Sequence, residues 1–116
     1  MDFKFNDRTC VIEIEDVKYR VIFQKALVDR LNGARDIFSR MKKEGCTDND
    51  KAIAAFDNAI DGILGKGSAE KIFAGRFPNI AERYAVLKYV YDEITEFMKK
   101  IASEANVPKT LKNPHN

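Results

Sequence analysis

The chain has a single histidine, His115, and it lies among the last residues. The body therefore offers no imidazole for general acid–base work or for a histidine-bearing zinc site. No nucleophile motif is present either, so catalytic chemistry is not expected. The cysteines are only two, Cys10 and Cys46, far apart and in different kinds of segment. Their spacing builds neither a metal site nor a disulfide framework, and reduced thiols are expected. No apolar run reaches the length that spans a bilayer. The opening Met1-Asp2-Phe3 has neither the basic nor the apolar region of a signal peptide, so no membrane association and a cytoplasmic location are expected. Charge of one sign is also scarce: 20 basic residues face 18 acidic ones, for a net +2. Lys and Arg are interleaved with acids along the chain, which leaves no basic face of the kind that binds nucleic acid.

What is present is periodicity. Over residues 2–23, Phe3 and Phe5 alternate with polar residues, and Asn6-Asp7-Arg8 reads as a turn. Cys10, Ile12 and Ile14 then share one face. Glu15-Asp16 reads as a second turn, and Val17, Tyr19, Val21 and Phe23 alternate with Lys18 and Arg20. Period-two patterning with short spacings predicts an antiparallel meander of about three strands with one buried face. Lys18 and Arg20 stand to pair with Glu13 and Glu15 on the wet face.

The period then lengthens. Leu27, Leu31, Ala34, Phe38 and Met41 recur in steps of four and three over residues 24–44, an amphipathic helix of about five turns. Gly33 either weakens it or admits a close helix contact. Thr47 and Asp50 have the spacing of a capping box, and a helix over residues 49–64 follows with Ile53, Phe56, Ile60, Ile63 and Leu64 inward. Asn79, with Glu82 three residues on, starts the last helix. Ile80, Tyr84, Leu87, Tyr91, Ile94, Met98 and Ile101 repeat along it in steps of four and three, with Val86, Val90 and Phe97 in a second row. That stripe is wider than a small sheet covers. Pro108 ends helical order. The whole predicts an α+β fold with an N-terminal β-meander, then three to four helices, the last one long. Residues 1–107 form one domain, and 108–116 form a flexible tail, dispensable for folding.

The stretch from residue 63 to 76 joins the middle helices through clustered glycines. Gly65 suits a helix end in the left-handed conformation, Ser68 an N-cap, and Gly75 a second stop. The run Gly65-Lys66-Gly67-Ser68 has the wrong spacing and context for a phosphate loop. Asp48, Asn49 and Asp50 open like a calcium loop, but Ala52 stands at a ligand position and the later glycine and glutamate are missing. Asp92 and Glu96 at four-residue spacing read as a solvated acidic face before they read as metal ligands.

The strand-rich opening, the middle helices, Ile63-Leu64-Gly65 followed by Lys71-Ile72-Phe73-Ala74-Gly75-Arg76, and the long final helix resemble small proteins of Gram-positive phages and prophages. Those proteins are similar to tail assembly chaperones of long-tailed phages, and the similarity runs to about Ala105. The resemblance implies a non-enzymatic factor in the host cytoplasm that binds the tape measure and tail tube proteins before they polymerise. It also implies a homo-oligomer, a longer form made by frameshifting, and no catalytic, cofactor or metal residues. Candidate protein-binding residues are Ile72, Phe73, Tyr84, Tyr89, Val90 and Phe97. A small phage-encoded regulatory or nucleic-acid-binding protein is the alternative.

Overall fold

A computed structural model describes residues 9–45 and 49–104. The elements are β1 (Thr9–Ile14), β2 (Val17–Ile22), α1 (Lys25–Glu44), α2 (Asp50–Leu64), α3 (Ser68–Ile72) and α4 (Ile80–Glu104). The fold is α+β: a two-stranded antiparallel hairpin, then four helices with the longest last. The meander of three strands is thus corrected to two among the described residues. The strand expected around Phe3 and Phe5, the Asn6-Asp7-Arg8 turn, Thr47, Cys46 and the C-terminal tail lie outside them.

The hairpin follows from its pattern. Glu15 and Asp16 both take positive φ, 49° and 65°, the signature of a two-residue turn whose twist matches the strands it joins. Ile14 therefore pairs with Val17, and the register runs through Ile12↔Tyr19 to Thr9↔Ile22. Cys10, Ile12, Tyr19 and Val21 are buried on one face. Glu13 stands opposite Lys18, as expected, but Arg20 stands opposite Val11.

That buried face lies on the helices, β1 against α4 and β2 against α2. Two contacts fasten it. Phe23 and Phe97 meet edge to face with ring centroids 5.2 Å apart, and the Tyr89 hydroxyl donates to the Glu13 carbonyl at 3.2 Å. Helix α2 is the hub, touching α1, α3, α4 and β2. Phe56, Ile60, Ile63 and Leu64 are its buried residues, and they join Ile12, Leu27, Leu31, Leu87, Val90 and Ile94 in one core. Gly33 faces open space, with nothing within 4 Å of a Cβ built there. It serves no helix contact and simply weakens α1.

The caps differ from the expected ones in two places. Helix α2 is capped by Asn49, whose side chain accepts from the Ala52 N–H at 2.8 Å. Helix α3 is preceded by Gly67 in the left-handed conformation, and Ser68 is already helical and buried. Its capping acceptor comes from α2: Asp61 Oδ1 takes the Ala69 N–H at 2.8 Å. The helix end at Gly65 uses φ 118° and ψ 150°, a glycine-only conformation outside the left-handed helical region.

At α4 the expected cap forms. Asn79 Oδ1 accepts from the Glu82 N–H at 2.8 Å, and its amide donates to Glu82 Oε1 at 3.2 Å. Arg76 then grips Glu82 Oε2 through Nη2 at 2.6 Å and Nε at 3.0 Å. The Arg76 hydrogen bonds, foremost, hold the Glu82 carboxyl below its usual range. A carboxylate lowered in the folded state contributes stability that is complete above its unfolded pKa and lost as pH falls through the folded one. Thermal melts from about pH 6 down to about pH 3 should therefore show a Glu82-dependent loss. Arg76→Ala should flatten that part of the profile, and an unchanged slope would remove the assignment.

Candidate functional site

Helix α4 carries three lengthwise rows. Ile80, Leu87 and Ile94 form one and Arg83 and Val90 another, and all of these are buried. The third, one position on, is Tyr84, Tyr91 and Met98. Tyr84 is 37% exposed and Met98 38%, and Tyr91 is half-buried. Phe38 of α1 reaches across and packs edge-on against both tyrosines, with centroids 5.5 Å from Tyr84 and 5.8 Å from Tyr91. The result is an aromatic seam along α1 and α4, with thioether continuation at Met98 and one side open to solvent.

Past Ile94 the helix outruns the core. No residue from 95 to 103 is buried, and Phe97 and Ile101 are only partly covered. About two and a half turns, roughly 14 Å at 1.5 Å per residue, thus project with apolar side chains incompletely covered. The opposite face is charged and internally paired: Lys88 Nζ to Asp92 at 2.8 Å and Lys99 Nζ to Glu96 at 3.5 Å. The Asp92 hydrogen bond holds the Lys88 ammonium above its ordinary value. Asp92 and Glu96 are therefore each matched to a lysine. Among the described residues, no group of three or more His, Cys, Asp or Glu side chains is placed to hold a metal ion.

The candidate residues do not form one surface. Val90 is fully buried, and Phe73 is buried beneath Arg83, whose guanidinium carbon sits 4.0 Å from the ring centroid. Both side chains are spent on the core. Ile72 packs half-buried against it, and Phe97 is held by Phe23. Tyr89 is exposed along its body but ties α4 to β1, and burial together with Glu93 and Glu13 pushes its phenol pKa up. Tyr84 alone lies on the open seam.

Sequence reasoning placed Phe38, Tyr91 and Met98 in the core stripes. On α4, Tyr91 and Met98 follow Leu87 and Ile94 by four positions, about 40° round the helix, and that displacement sets them at the margin of the buried row. Phe77, 82% exposed before α4, was also missed. So was Arg83, a cation inside a buried row. Cys10 is a free buried thiol, and desolvation, then Glu93, raises its pKa, so it has little thiolate character.

A cleft of about 320 Å³ opens beside this seam, between α1, α2 and the start of α4. Ile37, Met41, Ala52, Phe56 and Ile80 line it, with Arg40, Glu44 and Lys51 at its mouth. No helix of the described residues is long and apolar enough to cross a membrane.

No curated protein and no solved structure matches the chain. A family model matches residues 6–114, nearly its full length, and the chain belongs to that family, described as a family of unknown function (DUF6673).

Proposed function

We propose that this protein is a non-enzymatic binding protein that assists assembly in the manner of the phage tail assembly chaperones it resembles. In this reading it works in the host cytoplasm, associates with itself, and covers apolar surface on tape measure and tail tube proteins until they polymerise. The observation that carries the reading is the α4 seam: Tyr84, Tyr91 and Met98 in register, backed by Phe38 and continued by a helix that outruns its own core. Amphipathic helical surface of this kind suits a groove or a helix on a partner, and aromatic residues with methionine are the side chains enriched at interface centres.

Co-expression with tape measure and tail tube proteins of a long-tailed phage tests the reading. Co-elution with either one is expected, and Tyr84→Glu with Met98→Glu should abolish it. Failure of both to co-elute at micromolar concentration would remove the chaperone reading. A tight DNA affinity that falls steeply with salt would replace it with the regulatory alternative.

A further inference from the structure

The hairpin has an open side. Because the Ile14↔Val17 pair closes a two-residue turn, hydrogen-bonded and non-hydrogen-bonded pairs alternate from there. Lys18, Arg20 and Ile22 fall in the non-hydrogen-bonded set, so their N–H and C=O groups point away from β1. Among the described residues no third strand joins the sheet, so within them that row of backbone groups is a pairing edge without a neighbour.

A groove of about 470 Å³ runs beside this edge, between β2, the first turns of α1 and the end of α2. Its apolar lining includes Ile22, 61% exposed, with Leu27 and Leu64. Three cations line it, one from each side: Arg20 of β2, Arg30 of α1 and Lys66 of the α2–α3 junction. The Arg30 stem lies across Gly62, with Cγ and Cδ 3.8 Å from where a Cβ would sit. The one acidic residue in the lining, Asp61, has its Oδ1 engaged by the Ala69 N–H. The ion pairs among the described residues use Arg76, Arg83, Lys88 and Lys99, so Arg20, Arg30 and Lys66 remain unpaired there.

We propose that the β2 edge and this groove dock an extended acidic segment of a partner protein, which adds to the sheet as a further strand. Backbone groups of Lys18, Arg20 and Ile22 supply the ladder, and alternate partner side chains point into the groove. Carboxylates on the groove side meet Arg30 and Lys66, with Arg20 flanking them at the strand edge, while the alternating apolar residues fall on the other face beside Ile22. A second copy of this chain fits poorly. Two β2 edges placed together would set Lys18 and Arg20 against their own kind, and like charges directly opposite are destabilising. This surface is separate from the α4 seam and does not depend on the phage reading.

The test is a titration of the 15N-labelled full chain with an end-blocked peptide of about eight residues alternating Glu and Val. Saturable amide shifts confined to residues 18–22, 27–30 and 62–66 are expected. Arg20→Glu with Arg30→Glu should weaken binding about tenfold or more. N-methylation of one alternate set of peptide amides should abolish binding, and methylation of the other set should spare it. Four results would each overturn the proposal. These are no shifts at millimolar peptide, equal binding of a Lys–Val peptide, the same shifts with an oligothymidine, and the same shifts on raising protein concentration without peptide. The two peptide controls decide the matter even if the doubly substituted chain fails to fold.

Discussion

Phe56→Ala is expected to cost about 3–5 kcal/mol of folding stability. The ring is 2% exposed on the element that touches most of the others. It forms one wall of the α1–α2 cleft with Ile37, Met41 and Ile80, so its loss joins a new void to an existing one. A domain of this size holds only about 5–15 kcal/mol in all. The variant should therefore melt lower by more than about 10 °C, and a shift of a degree or two would show that α2 is not the hub. Tyr91→Ala is the comparison. Its ring is half-buried at the seam, and it should cost clearly less. An equal cost would mean that the seam is core after all.

The second large effect concerns Arg83, which is 7% exposed. Its Nε donates to Asp57 Oδ1 at 3.1 Å, its plane covers Phe73, and its Nη1 is buried without a hydrogen-bond partner. A buried pair of this kind stabilises little by existing and costs much when halved, because the remaining charge is desolvated and unmatched. Asp57→Ala should cost about 1–3 kcal/mol, toward the lower end because the Asp57 side chain is 31% exposed and solvent partly screens it. Arg83→Met keeps the stem against Phe73 and removes the unsatisfied donor, and the Asp57 carboxylate it leaves is partly solvated, so it should cost less than Asp57→Ala. Combined with Asp57→Ala it should recover most of the loss. Urea denaturation measures all three. A larger loss for Arg83→Met than for Asp57→Ala would show that the guanidinium is a net stabiliser.

Much of this fold is legible in the spacing of apolar residues. The turn at Glu15-Asp16 and the Asn79–Glu82 cap are local patterns that form as read, and the α1 and α2 stripes are buried at Leu27, Leu31 and Ala34 and at Phe56, Ile60, Ile63 and Leu64, while Val28 of the α1 stripe is exposed. What the spacing could not supply is tertiary. Asp61 caps a helix eight residues away, across the Gly65–Gly67 turn, so Ser68 loses the role its type favours. Arg83 is polar by type but sits in a buried row, and only the approach of Asp57 and Phe73 makes that tolerable. The same limit applies to the seam. Periodicity says that Tyr84, Tyr91 and Met98 share a row, but which row ends at the margin depends on where α1 lies. Of that row only Tyr84 was recognised as a binding candidate, and Val90 and Phe73 proved to be core.

The seam's role as a contact surface is tested most directly by sedimentation velocity of the full chain at micromolar concentration. Self-association is expected, with each pair of subunits burying more than about 1,000 Å². Tyr84→Glu with Met98→Glu should return the protein to monomer with its melting temperature preserved, because both side chains are already partly in water. A clean monomer before any substitution would contradict self-association and leave the exposed α4 row without an occupant.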